Sequence, residues 1–215
     1  IGIDNDILGG GRLTGQAGPL SIGLLNLQTR SDGDVLGTNN TVARIRVDVL
    51  PRTTIGGIFT NLHSNSGHNR VGGGDIAIRF WNSSSLKIWG AKVWDSKHLS
   101  GSTFAGSTEL DIANDLWQIG ASVVDVGDDY QPGLGLVIRR DMIRYRGKAG
   151  LTPRFEKSTW ARQLDLTTEG TYIEGQDGNE QTTEVKFDSK MMLRSDDYLT
   201  IQGNRKSEVL EQPFR

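Results

Sequence analysis

Hydrophobic and polar residues alternate along much of this chain, most clearly over residues 41–49. Ala43, Ile45, Val47 and Val49 fall on one side of an extended strand, and Arg44, Arg46 and Asp48 on the other. The reason is geometric: successive side chains of a strand point to opposite faces. Residues 75–80 repeat the scheme, with Ile76, Ile78 and Phe80 opposite Asp75, Ala77 and Arg79. The apolar spacing of about 3.6 residues that marks an amphipathic helix is hard to find. Further strands are expected over 12–17, 20–28, 53–62, 86–94, 116–126, 134–151, 160–173, 180–193 and 198–203. The pattern predicts an all-β chain, an antiparallel up-and-down meander of about ten or eleven strands.

The connections carry a second signal. Gly18-Pro19, Pro51-Arg52 and Asn82-Ser83-Ser84 read as short turns, and 31–40, 64–73 and 96–115 as longer polar loops. Gln176-Asp177-Gly178-Asn179 is the best hairpin turn, because Asp-Gly supplies the positive φ that tight turns require. Short turns alternating with long loops are what a membrane barrel shows between its two rims. The alternation fails in the later part, where 127–133 is long for a turn and 194–197 short for a loop.

The direction of each face decides the class. A soluble sandwich buries its apolar face and wets its charged one, whereas a membrane barrel turns the apolar face to lipid. Alternation alone does not separate the two. The Arg-rich faces and uneven loops lean toward a barrel lumen. Ala43, Ile45, Val47, Ile76, Ile78 and Phe80 are then expected on the outward side of a curved sheet, and Arg44, Arg46, Asp48, Asp75 and Arg79 on its concave side. Arg139, Arg140, Arg144, Arg146 and Arg162, with Asp141 and Asp165, extend the charged set into a lumen charge ladder. Guanidinium forks suit carboxylates and keep their charge when partly desolvated.

Composition narrows the classes further. The chain has 215 residues, 35% of them hydrophobic, with Gly at 28 against 5 Pro and 3 Met, a balance that suits strands and turns. A net charge of -2, from 24 Lys and Arg against 26 Asp and Glu, offers no basic excess for nucleic acid. With Cys at 0, disulfides, thiolate chemistry and cysteine metal sites are excluded. No apolar run reaches the roughly 18 residues of a transmembrane helix, although barrel strands need only about 9–11.

Trp81, Trp89, Trp94, Trp117 and Trp160 sit in or near strands, as sugar-stacking platforms or as the aromatic girdle of a barrel, the latter being favoured. His63 and His68, five apart in one expected loop with His98 in another, could join Asp75 or Asp95 around a metal, but solvated loop histidines are far commoner. Asp32-Gly33-Asp34, residues 125–129 and Asp177-Gly178-Asn179-Glu180 lack the full spacing of a calcium loop. Gly9-Gly10-Gly11 and Gly72-Gly73-Gly74 are not followed by Lys-Ser or Lys-Thr, so the nucleotide reading fails. Strand-end flexibility or close backbone approach explains them better. No Gly-x-Ser-x-Gly elbow is present and no carboxylate pair stands out. No metal, cofactor or catalytic constellation is expected.

Gly9-Gly10-Gly11-Arg12-Leu13-Thr14-Gly15, residues 21–29, residues 52–61, Arg140-Asp141-Met142-Ile143-Arg144-Tyr145 and Glu211-Gln212-Pro213-Phe214 together resemble a bacterial domain-of-unknown-function family. In that family the domain follows an N-terminal family 9-like carbohydrate-binding module and is thought to form an outer-membrane-type β-barrel. The resemblance implies a single barrel-type domain over 1–215, an internal portion of a longer protein, and brings no catalytic residues. It points to a non-enzymatic barrel segment for transport, anchoring or surface display in a Gram-negative outer membrane. The expected partners are membrane lipid, carbohydrate through a separate module, and missing strands or another chain at open sheet edges. An odd strand count would favour such open edges, since bacterial barrels are even-numbered. The alternative is a periplasmic or secreted β-rich module that binds or processes carbohydrate.

Overall fold

The computed structural model describes residues 6–31, 36–81, 83–97 and 99–209. All regular structure there is β: β1 Ile7–Ala17, β2 Leu20–Thr29, β3 Thr38–Leu50, β4 Thr53–Ser64, β5 Gly67–Phe80, β6 Ser84–Asp95, β7 Phe104–Ala113, β8 Trp117–Val126, β9 Met142–Leu151, β10 Ala161–Glu174, β11 Glu180–Leu193 and β12 Tyr198–Glu208. They form one 12-stranded antiparallel sheet whose order follows the sequence, so β1 has one strand neighbour, β2, and β12 one, β11. The expected up-and-down meander is present. The count is 12 and even, so the odd-count argument for missing strands falls away.

The additional strand is β7, which lies inside the expected 96–115 loop. Its parity settles the two irregular connections. With β7 in place, 127–141 joins the rim that also carries 30–37 and 96–103, and 194–197 joins the rim of 114–116. The expected 64–73 loop is also corrected. β4 and β5 continue through it with only 65–66 between them, and Gly72-Gly73-Gly74 lies inside β5. A Cβ on Gly72 would lie 3.0 Å from the Trp94 ring, and one on Gly73 would lie 2.9 Å from the Ala91 Cβ. The triplet is there for close packing, not for a loop. In the other direction, 134–141 is not strand, and β9 begins at Met142.

The chain divides into two compact units. The first comprises Ile1–Ile78, Lys87–Gly106 and Val126–Asp141, and the second Arg79–Leu86, Ser107–Asp125 and Met142–Arg215. In the first, register aligns Ala43 with Phe59, Val47 with Ile55, and Ile55 with Ile76 on one face. The same register aligns Arg46 with Gly56, and Gly56 with Asp75, on the other. Burial is confined to that second face. Val93 and Ala105 are 1% exposed and Val71 5%, whereas Ile45 is 48% and Phe59 44% exposed on the aliphatic side. In the second unit, Tyr145, Gly147, Ala149 and Leu151 alternate with Arg144, Arg146 and Lys148, and register carries both faces through β10 to β12.

Candidate functional site

Strand alternation turns the charged residues of β3 and β5 to one side, and β4 decides whether they meet. Arg44 Nη2 reaches Asp75 Oδ1 at 2.5 Å, across the intervening strand. The pair passes over Gly56, where a Cβ would lie 2.5 Å from Arg44 Nη2 and 2.7 Å from Asp75 Oδ1. Beside it, Arg46 Nη2 donates to Thr54 Oγ1 at 3.5 Å, and Thr54 Oγ1 donates to Asp48 Oδ1 at 3.0 Å. Arg79 follows Asp75 and Ala77 in the alternation of β5. Gly56→Val is expected to push the ion pair apart and cost about 1–2 kcal/mol in a urea titration. The same change made in an Asp75→Asn background should cost clearly less. An unchanged cost there would place the effect in the backbone.

A second charged row lies in the second unit. Arg146 Nη2 pairs with Glu169 Oε2 at 2.5 Å, and Lys148 and Lys186 are the register partners of Glu169 on either side. Glu109, Asp111, Ser122, Arg146 and Lys148 line a recess of about 200 Å³ on this side. Asp165 accepts from Gln163 Nε2 at 2.6 Å and faces Lys190 in register. Arg144 lies in line with Arg146, with its Nε buried and without a hydrogen-bond partner. Arg162 sits at an irregularity in β10 and pairs instead with Asp196 of the 194–197 turn, at 2.9 Å. Arg139, Arg140 and Asp141 are not on a strand face. They precede β9, Asp141 has φ 55°, and Arg140 Nη1 donates to the Asp128 carbonyl at 3.2 Å.

A buried side chain ties the middle of 127–141 to the face of the sheet. Asn69 of β5 is 8% exposed on the charged face. Its Nδ2 donates to Asp95 Oδ2 at 2.7 Å and to the Gln131 carbonyl at 2.8 Å. Its Oδ1 accepts from the Gly133 amide at 2.7 Å. Gly133 packs flat on this side chain, where a Cβ would approach Asn69 Oδ1 to 3.0 Å. Asp129 and Asp128 add bonds from the amides of Gly101, at 2.7 Å, and Ser102, at 2.6 Å. Burial of Tyr130 in the same segment pushes its phenol pKa up. The segment therefore lies on the charged face and leaves the aliphatic face bare.

No family model, curated protein or solved structure matches the chain.

The tryptophans divide between the rims. Trp81, in the connection after β5 and 70% exposed, lines a recess with Trp117, the first residue of β8. Trp160, 64% exposed, precedes β10 on the rim of the β9–β10 connection. Trp94 lies near the other rim on the aliphatic face, against Gly72, while Trp89 alternates with Ala91 and Val93 toward the charged face. Tyr145 and Tyr172 stack at 6.3 Å, and Tyr145 Oη donates to Glu174 at 3.2 Å.

His63 and His68 are direct partners across β4 and β5, while Asp75 alternates to the opposite face. No group of at least 3 His, Cys, Asp or Glu is placed to hold a metal among the described residues. His98 and Asp32-Gly33-Asp34 lie outside them, as do Asn82 and the closing Glu211-Gln212-Pro213-Phe214. Asp125 accepts from Gln176 at 2.6 Å. The Asn179 amide and side chain hold the Asp177 carboxyl below its usual range in the turn.

Proposed function

We propose that this chain forms the wall of an outer-membrane-type β-barrel, with the aliphatic face toward lipid and the charged face inside. Its role is non-enzymatic: transport, anchoring or surface display by a larger exported protein. One observation carries the reading, namely that in the first unit the buried side chains and the residues docked by Asn69 lie on the charged face while the aliphatic face stays exposed. A water-soluble sheet would do the reverse, since covering aliphatic side chains is what drives its folding. Strands of 10 to 14 residues suit a barrel wall, which needs about 9–11. The one-sided pairing of β1 and β12 fits further strands, from the same or another chain, because an open edge within lipid leaves backbone groups unsatisfied.

The absence of Cys gives a direct test. Ile45→Cys and Arg46→Cys, each carrying a nitroxide, should separate in phosphatidylcholine vesicles. The label at 45 should collide with oxygen dissolved in the acyl chains, and the label at 46 should not. A chain that stays monomeric in buffer, with the label at 45 shielded by protein, would instead be the soluble carbohydrate module.

A further inference from the structure

We propose that the loop-proximal end of the aliphatic face in the first unit binds the phosphate-bearing headgroups of anionic lipids. The inference rests on the barrel reading and adds what that wall recognises. Along β1–β6 this face holds Leu13, Ile22, Leu24, Ile45, Ile55, Phe59 and Ile76 at its middle, and no Asp or Glu among the described residues. The ionisable side chains it carries are His63, His68, Arg70 and Lys92, all at the end next to the 30–37, 65–66 and 96–103 connections. Carboxylates of these strands, at Asp48, Asp75 and Asp95, all point to the other face.

The surface is built as well as charged. Arg70 Nε donates to Asn61 Oδ1 at 3.0 Å, which fixes the guanidinium plane beside β4. Lys92 and Trp94 share the face on β6, with the Trp94 ring lying over Gly72. On the other flank Asn26 Nδ2 donates to Thr41 Oγ1 at 2.8 Å and to Asn39 Oδ1 at 3.0 Å, and Asn39 Nδ2 donates to Gln28 Oε1 at 3.1 Å. Amides and hydroxyls in such a row match the hydroxyls of a glycerol or sugar headgroup. Arg70 and Lys92 match its phosphate, Arg as a fork and Lys as a point charge. Trp94 supplies the amphipathic ring of the water boundary.

Continuity makes the occupant a lipid. Acyl chains lying on the aliphatic middle would bring their phosphates to the level of Arg70 and Lys92. The second unit differs, because its aliphatic face carries Asp125 and Glu174 as well as the cation Arg205. Selectivity should therefore follow the first unit, whose face carries cations and no carboxylate among the described residues.

The test uses the full chain with Trp94 as the remaining tryptophan, the others changed to Phe. It is refolded into phosphatidylcholine vesicles containing either brominated phosphatidylglycerol or brominated phosphatidylcholine at equal mole fraction. Quenching should show a preference for the anionic lipid of about fivefold for each cation engaged. R70Q with K92Q should bring the ratio to about one, while R70K with K92R retains it. Should the Phe-substituted chain fail to fold, native mass spectrometry of the unsubstituted chain from mixed vesicles reads the same preference as retained phosphatidylglycerol. Equal quenching by both lipids would overturn the site and leave the barrel reading intact. Absence of quenching by either lipid would sink the barrel reading itself. Loss of the preference in millimolar inorganic phosphate would reassign the surface to free phosphate and overturn the lipid assignment.

Discussion

Asn69→Leu should free residues 131–133 from the charged face and destabilise the first unit by about 2–4 kcal/mol, because each polar partner left unsatisfied costs about 1–3 kcal/mol. Leu has nearly the same volume, so the packing of Val71 and Val93 is retained while the hydrogen bonds are lost. The Gly133 amide, the Gln131 carbonyl and the Asp95 carboxylate all lose their shared partner at a position 8% exposed. Asn69→Asp keeps an acceptor for Gly133 but sets a second carboxylate against Asp95, so it should lie between the parent and Asn69→Leu at pH 5 and approach Asn69→Leu at pH 8. Hydrogen exchange reads the outcome residue by residue. Protection at Gly133 should collapse while the β3–β4 ladder keeps its own. Unchanged protection at Gly133 would mean that the rest of 127–141 holds itself.

An arginine on the aliphatic face should be expensive in a depth-dependent way. Ile45→Arg lies mid-strand and is expected to cost about 2–4 kcal/mol of stability in vesicles, whereas Leu20→Arg, next to the 18–19 turn on the same face, should cost only about 0–1 kcal/mol. Ile45 pairs with Ile22 and Gly57, so the arginine has no carboxylate within its row. Urea titrations of the vesicle-folded variants give both numbers. Ile45 is 48% exposed, so in a protein whose face meets water the same substitution would be nearly silent. Equal, small effects at the two positions would therefore exclude a lipid-facing side.

The alternation of 41–49 was legible because its contrast is high: branched aliphatics on one side, arginines on the other. β7 was not, although it has the same period. Its sequence sets Phe104, Gly106, Thr108, Leu110 and Ile112 against Ala105, Ser107, Glu109, Asp111 and Ala113, and glycine and threonine blur the apolar side. Missing it hid Glu109 and Asp111, which help line the recess beside Arg146. The opposite error arose at 134–141, where Leu134, Leu136, Val137 and Ile138 look like a strand. Leu136 and Ile138 are 89% and 94% exposed, and the backbone before them is fixed by Asn69, 62 and 64 positions away from its partners. No local pattern could have announced that pairing, because its partners are set by the fold. The Arg44–Asp75 pair was half-legible: period two put both residues on one face, but the passage over Gly56 depends on register.

A sheet whose spatial order equals its chain order has an unusual kinetic character. Each strand closes on its immediate predecessor, so the entropy of loop closure is small at nearly every step and rises only logarithmically for the longer links. Contact order stays low for an all-β chain, and hairpins can add one at a time. Asn69 is the longest-range exception, beside the Gln176–Asp125 bond. Its bonds to 131 and 133 span β6, β7 and β8, so 127–141 can dock only after those strands have been laid down. That docking is a late, long-range event in a mostly local assembly, and until it occurs the Asn69 side chain stands without two of its partners.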